Sequence, residues 1–321
     1  MAETRFLETL PGSLALDHAM RSGLIDRLHL DGEIAVPDEP VLVRLLLRAG
    51  VLAQVGGKLR LSEAFAPIWP ARREALTHRL RFLKAAAVDL TMGLPALLDD
   101  RDDFMARSHT FGLFDYSQAE GTEPENLRAT RFWCDYVATL TEEEAPAIVP
   151  RLDLDPGARV LEIGGNVGVM AAEVMQGTGA SVHVLDLPAV CALGEERNAA
   201  RPSGARPEFI AGDARAGGWD ELPGAPFDAV LFKSVLHDWP EAAALELLDH
   251  ATVAPMVVIA ERAPLPAQGD LPFWMSADLV FAPFYRAADF YATELMSRGY
   301  EVEATALALD WPFNLIVGRR A

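Results

Sequence analysis

The stretch Arg159–Gly168, RVLEIGGNVG, limits what this chain can become more than any other. An apolar run enters a turn rich in glycine, and a helical pattern follows over Val169–Met175. Glycine lets the backbone turn tightly and approach a ligand closely. The same strand-then-helix rhythm continues downstream. Strands are expected at Ser181–Leu185, Pro207–Ile210, Ala229–Phe232 and Met256–Ala260, with helices between them. A final pair, Tyr300–Ala304 and Phe313–Gly318, closes the sheet. Such alternation predicts the α/β class, with a doubly wound, mostly parallel sheet.

Upstream the pattern is helical. Leu14–Leu28 carries apolar residues at helical spacing, with Pro11-Gly12-Ser13 just ahead as a start signal. Asp31–Pro40 reads as a turn-rich connector and Val41–Ala49 as a second helix. Val51–Val55 and Lys58–Leu61 read as strands of a hairpin, because Gly56-Gly57 suits the positive-φ turn between them. Glu74–Leu98 is helical and either ends at Gly93 and Pro95 or runs past them. Asn126–Leu140 is one more helix, with Phe132, Trp133 and Tyr136 along it. Helix plus small β-wing resembles a winged helix. The 321 residues suit two domains of roughly 150 each, and the change of character places them at 1–105 and 106–321.

The formal net charge of −19 argues against nucleic acid and against anionic membrane surfaces, both of which attract basic proteins. Val41–Val55, the most apolar early run, is broken by Arg44 and Arg48 and is too short to span a bilayer. Cys134 and Cys191 are the only cysteines and have no framework or ligand spacing, so a reducing, cytoplasmic setting is expected and no metal site. Met1–Leu16 carries Glu3, Arg5, Glu8 and Pro11 and lacks the apolar stretch of a secretory signal.

The loop after the first strand points to a ligand. Glu162 ends that strand, ahead of Gly164 and Gly165, and Asp186 ends the next, followed by Leu187. A carboxylate at the second strand tip can accept both hydroxyls of a ribose. The spacing is Glu-x-Gly-x-x-x-Gly, not Gly-x-Gly-x-x-Gly, and a carboxylate beside the loop would repel a pyrophosphate. An adenosyl sulfonium carries no phosphate and has a cationic amino-acid tail. The chemistry therefore favours S-adenosyl-L-methionine. Asp213, followed by Ala214, stands at the third strand tip, where it can accept from an adenine amino group. The fourth tip gathers Lys233, His237, Asp238 and Trp239.

LEIGGNVG, VLDLPAV, FIAGD, LFKSVLHDWP and VVIAE, in this order and spacing, resemble the small-molecule O-methyltransferases of the plant caffeate and flavonoid type and their bacterial relatives. The resemblance is close over Phe111–Glu261 and looser before it. It implies a Rossmann-like methyltransferase domain behind an N-terminal domain that dimerises and helps close the partner's pocket. It implies that Gly164 and Gly165 line the methionine portion of the cofactor, that Asp186 binds ribose and that Asp213 binds the adenine amine. Lys233 would contact the cofactor and Trp239 would stack on the adenine. His237 matches the catalytic base, and Glu261 matches one of two acidic residues that hold it. The Ala- and Arg-rich composition fits bacterial secondary metabolism.

The sequence departs from that pattern in four places. Asn166 replaces the middle glycine of the loop, and Ala214 replaces a larger residue against the adenine. The Asp31–Pro40 connector is short for the helix usual there. Tyr285 stands where the second acidic residue is expected, with Asp278 the nearest acidic substitute. Phe111, Phe114, Trp133, Trp274, Met275 and Phe284 supply surface for a planar aromatic substrate. Two other readings stay open at this point. His237-Asp238 could ligate a metal in a C-methyltransferase for an α-keto acid or enol. A non-methylating member could keep the cofactor as a structural or electrostatic element.

Overall fold

A computed structural model describes residues 2–38 and 40–320. The chain forms two compact units. One comprises Met1–Gly112 with Ala267–Val280, and the other Leu113–Pro266 with Phe281–Ala321. The sequence shows the change of character near the first boundary but gives no sign of the returning segment.

In the first unit, α1 (Leu10–Arg21) and α2 (Leu24–Asp31) replace the single expected helix, because Gly23 adopts φ 74° between them. Pro11 and Gly12 lie inside the first turn of α1, not ahead of it. Thr9 caps that turn, its Oγ1 accepting from the Gly12 N–H at 3.2 Å. Proline is tolerated there because the first helical N–H groups have no intrahelical partner. The expected connector holds β1 (Ile34–Ala35), followed by α3 (Pro40–Arg48). β2 (Leu52–Val55) and β3 (Lys58–Leu61) form the hairpin, with Gly56 and Gly57 both at positive φ. β1 adds to β3, giving the antiparallel order β1-β3-β2. The long α4 (Ile68–Asp99) runs through Gly93 and Pro95 to α5 (Arg101–Arg107). Gly93 packs closely, and a Cβ there would lie 3.1 Å from the Phe104 ring, which would have to shift slightly. The returning segment is tied to the N-terminus by the Phe273 N–H, which donates to the Glu8 carbonyl at 3.0 Å.

The second unit opens with α6 (Pro124–Ile148) and continues as a strand–helix alternation. The parts in chain order are β4 (Arg159–Ile163), α7 (Val169–Thr178), β5 (Ser181–Asp186), α8 (Pro188–Asn198), β6 (Glu208–Ala211), β7 (Ala229–Lys233), α9 (Glu241–His250) and β8 (Met256–Arg262). α10 (Ser276–Phe281) marks the chain's return from the first unit, and α11 (Ala288–Ser297), β9 (Glu301–Leu307) and β10 (Phe313–Arg319) complete the fold. The strand order is β6-β5-β4-β7-β8-β10-β9. The first five neighbours are parallel, and β10 lies antiparallel between β8 and β9. All seven strands expected from the sequence form. The exposed edge strand β9 carries Glu301 and Glu303, charges that discourage further strand pairing.

Both faces of the sheet are covered. Val160, Val184, Leu231, Val258 and Leu315 pack with Met170 and Val174 of α7 and Ile148 of α6. Leu161, Val230, Phe232, Ile259 and Ile316 pack with Leu247 of α9 and Leu295 of α11. A strand alternates its side chains, so Glu162 shares the α6–α7 face with Val160. Chain order reverses between β4 and β7, where an open α/β sheet has its binding crevice. Among the described residues no helix is long and apolar enough to cross a membrane.

One ionic knot ties α6 to this sheet. Glu144 takes Lys233 of β7 on one oxygen and Arg262 of β8 on the other, the latter at 2.6 Å. Lys233 Nζ also donates to Thr141 Oγ1 at 3.0 Å, and Arg262 Nη1 donates to Ser234 Oγ at 2.9 Å. Removing a shared partner strands buried charge, which costs roughly 3–5 kcal/mol. Glu144→Ala is therefore expected to lower stability by about that amount in urea unfolding, and Glu144→Gln, which keeps an acceptor oxygen, by less. A midpoint within error of the parent for Glu144→Ala would show that the knot does not hold the helix.

Candidate functional site

The parallel strands end on a common rim, and the glycine turn after β4 is its deepest part. Gly164, Asn166 and Gly168 all take positive φ, at 61°, 54° and 72°. Asparagine tolerates this left-handed region better than most residues. A Cβ on Gly164 would lie 2.8 Å from Val235, and one on Gly165 would lie 2.7 Å from the carboxyl carbon of Glu162. Glycine at 165 therefore leaves the Glu162 carboxylate room beneath the turn.

That carboxylate is 1% exposed, and its Oε2 has no hydrogen-bond partner among the described residues. Burial pushes the Glu162 pKa up to about 8, against the opposing charge of Lys233 and a bond from the Ala171 N–H. Asn166 turns its side chain toward α6, where Nδ2 donates to the Cys134 carbonyl at 3.0 Å. Its buried Oδ1 also has no partner among the described residues. Two orphaned acceptors thus flank one glycine turn. The Asn166 N–H donates to Asp186 Oδ2 at 2.8 Å, and the Leu187 N–H donates to Oδ1 at 2.7 Å. Burial still pushes the Asp186 pKa up to about 6 despite those bonds.

The third and fourth rim positions differ in character. Asp213 is exposed and held by Arg215, whose Nη2 reaches Oδ2 at 2.6 Å and whose Nε reaches Oδ1 at 2.9 Å. This pairing lowers the Asp213 pKa. The same guanidinium lies 4.5 Å from the Trp239 ring centroid, so Asp213 and Trp239 share one cation. Ala214 opens the short turn after Asp213, and its carbonyl accepts from Trp219 Nε1 at 3.1 Å. Lys233 is spent on Glu144 and Thr141 and acts on Glu162 only through its charge.

His237 sits in the loop after β7, which is fixed from both sides. Glu261 Oε1 accepts from the Val235 and Leu236 N–H groups at 2.8 and 2.7 Å, while Oε2 holds His237 Nδ1 at 2.6 Å. Arg286 donates to the carbonyls of Leu236 and Trp239, each at 2.7 Å. Tyr285 meets the imidazole edge-on at 5.1 Å. His237 Nε2 lies 3.3 Å from Asp238 Oδ1, and Asp238 Oδ2 accepts from the Tyr116 hydroxyl at 2.9 Å. Burial alone would depress the imidazole pKa, but Glu261 and then Asp238 outweigh it, and the net shift is upward.

An aromatic wall continues from Tyr116. Its ring lies 5.4 Å from that of Trp133, which lies 6.2 Å from Phe114, which meets Phe281 at 5.7 Å. The buried Trp133 Nε1 has no partner among the described residues. Phe284 ends the turn just before Tyr285. Phe111, Trp274, Met275 and Asp278 belong to the first unit.

Sequence reasoning thus finds Glu162, Gly164, Gly165, Asp186, Leu187, His237 and Glu261 gathered on one rim. It misses Tyr116, Glu144, Arg215 and Arg286. Of these, only Arg215 stands next to a recognised position in sequence, and only Arg286 follows the noted Tyr285.

Comparison with known proteins follows this geometry. The O-methyltransferase domain family matches residues 94–261, more than half of the chain. A 3-hydroxy-5-methyl-1-naphthoate 3-O-methyltransferase from Streptomyces sahachiroi is 36% identical over 124 residues, covering 38% of this chain. The match spans only 33% of that relative's length. Among solved structures, the mitomycin 7-O-methyltransferase MmcR aligns with a TM-score of 0.71 at 20% identity, over 96% of this chain and 94% of that one. CalO1, a methyltransferase in calicheamicin biosynthesis in its SAH-bound form, aligns at 0.67 and 17% identity, again over 96% and 94%. At these identities the structural likeness establishes the fold.

The buried Glu162 carboxyl should leave a mark on stability. Its folded pKa, about 8, lies above the ordinary carboxylate value of about 4.3. Between those values the native state holds a proton that the unfolded state has lost, so stability falls as pH rises. Glu162→Gln removes that loss. Its unfolding free energy in urea relative to the parent should climb from pH 5 to pH 8, by an amount on the order of a few kcal/mol. A difference that stays flat over this range would mean the Glu162 pKa is unperturbed.

Proposed function

The chain belongs to the O-methyltransferase domain family, and from that premise we propose that it is an S-adenosyl-L-methionine-dependent O-methyltransferase for a small aromatic, phenolic natural-product intermediate. The observation that carries this reading is the pair of orphaned acceptors at the glycine turn, Glu162 Oε2 and Asn166 Oδ1. A buried acceptor without a donor is costly, and a buried carboxyl without a cation more so. A ligand that brings an ammonium group and N–H donors satisfies both. A pyrophosphate would satisfy neither. The space kept clear by Gly164 and Gly165 suits the amino-acid tail of S-adenosyl-L-methionine.

When bound, the cofactor supplies a methyl group already activated by its sulfonium. The remaining work belongs to the chain. Glu162 receives the ammonium, with Lys233 favouring its ionised form from behind. Asp186 still has lone pairs for the ribose hydroxyls beyond those used by the Asn166 and Leu187 N–H groups. Asp213 and Trp239 take the adenine, its amine and its ring face, with Ala214 between them. Arg215 must share or yield its place there, because it now spans both residues.

His237 acts as the general base. A phenol has a pKa near ~10, and taking its proton in the transition state contributes roughly 10²–10⁴ in rate. Glu261 fixes the imidazole through Nδ1 and leaves Nε2 as the proton acceptor. Two observations support an aromatic acceptor. Phe114, Tyr116 and Trp133 form a continuous wall leading to Asp238 and His237. The Streptomyces sahachiroi relative is described as acting on a hydroxynaphthoate. Alignment of acceptor oxygen and methyl carbon can remove a further ~7–11 kcal/mol of barrier. A homodimer and a cytoplasmic setting complete the reading.

Two variants test it. Asp186→Ala should lose most affinity for S-adenosyl-L-methionine in calorimetry, and unchanged binding would refute the ribose role. His237→Ala should turn over a phenolic acceptor at least about tenfold more slowly, with cofactor affinity near that of the parent. Because flanking carboxylates raise the His237 pKa, the parent's rate should fall on the acid side starting above the ordinary imidazole value of about 6.5. A His237→Ala enzyme with parental turnover would leave alignment alone to account for the rate.

A further inference from the structure

Tyr285 stands at the sequence position where a second acidic partner of the base is expected, and its ring meets His237 in a T-shaped arrangement at 5.1 Å. Asp278, the substitute suggested by the sequence, belongs to the first unit. The carboxylate that faces the free nitrogen of the base is Asp238, with Oδ1 3.3 Å from Nε2. Its other oxygen accepts from the Tyr116 hydroxyl at 2.9 Å, across 122 positions of sequence. The order is continuous: Glu261, His237, Asp238, Tyr116. Asp238 cannot drift from the imidazole without breaking the Tyr116 bond, just as Glu261 cannot without releasing the Val235 and Leu236 N–H groups.

We propose that Asp238, held in place by Tyr116, is the second positioning carboxylate of His237 and completes the base in the absence of the usual glutamate. This rests on the reading of His237 as the base. On proton transfer the acceptor's O–H bond breaks, an N–H bond forms at Nε2, and the oxygen keeps the electron pair; transfer to it of the cofactor's methyl would break the sulfonium C–S bond and leave a neutral thioether. The imidazolium then lies between two carboxylates, one on each nitrogen. The new N–H finds Asp238 Oδ1 as its acceptor. Burial raises the Asp238 pKa, and the charge of His237 and the hydroxyl that Tyr116 donates to Oδ2 both work against that rise. Burial and the charge of Asp238 push the Tyr116 phenol well above its ordinary range, so it remains a donor.

The groups facing the imidazole come from several elements. Glu261 and Arg262 lie on β8, Asp238 is its own neighbour, Tyr116 lies in the short turn before α6, and Tyr285 and Arg286 precede α11. Arg262 opposes the two carboxylates, so removing either one should tilt the balance visibly.

The test is an NMR titration of the His237 imidazole in the full-length protein, with its resonances identified by their loss in His237→Gln. In Asp238→Asn the His237 pKa should fall by about 1 unit, because one of two stabilising charges is gone. In Tyr116→Phe it should fall by less and in the same direction, because Asp238 then binds its own proton more readily. The acid limb of methyl transfer should shift with it, and kcat should drop about tenfold in Asp238→Asn while the KM for the cofactor holds. An unmoved His237 pKa in folded Asp238→Asn, or in folded Tyr116→Phe should the first not fold, overturns the proposal. The titration needs no cofactor or acceptor. Failure of the parent to bind S-adenosyl-L-methionine would instead sink the enzyme reading and leave the titration result standing.

Discussion

Glu162, next to last in the first parallel strand, has its carboxyl almost wholly out of water and one oxygen without a partner among the described residues. Much of the surrounding architecture serves to make that tolerable. Gly165 keeps a side chain off it. The Ala171 N–H at the start of α7 donates to it, and Lys233 lowers its proton affinity across the sheet. Lys233 in turn is held by Glu144 and Thr141 of α6, so helix, strand and turn share one field. A group kept this way is an unfilled valence of the fold. The protein carries the cost when empty, and a cationic ligand removes it.

The second half of the rim is built on a different principle. Around Glu162 the chain leaves acceptors open. Around His237 it closes nearly all of them. Glu261, Arg286 and Ser234, the last at φ 55° with its N–H on the Ala260 carbonyl, fix the loop that carries the imidazole. On the proposed function, the open carboxyl of Glu162 would give affinity and the fixed imidazole of His237 alignment, the two things methyl transfer from a bound sulfonium to an oxygen requires.

The parallel strands were legible because each is an apolar run with turn residues at its tip, and the rim carboxylates because they stand at those tips. Other features depend on tertiary context and leave no local trace. The break between α1 and α2 rests on one glycine in a sequence whose apolar spacing continues unbroken. Strand β1 is two residues long and exists because β3 offers it an edge. The turn of Asn166 toward Cys134, and the engagement of Lys233 by Glu144, depend on where α6 lands. So does the meeting of Tyr116 with Asp238, which no spacing rule anticipates. Sequence thus indicated which carboxylates stand at the strand ends, while Glu144 and Tyr116, which engage Lys233 and Asp238, came from a helix and a turn far upstream.

We propose that Glu162, buried and raised in pKa, gives up its proton when a cationic ligand arrives. Calorimetry of S-adenosylhomocysteine binding near pH 7, in buffers of differing ionisation enthalpy, measures it most directly. That ligand retains the ammonium tail but has no sulfonium charge. The account predicts binding accompanied by net proton release, reduced in Glu162→Gln. Binding with no proton release, or no binding at all, would contradict it.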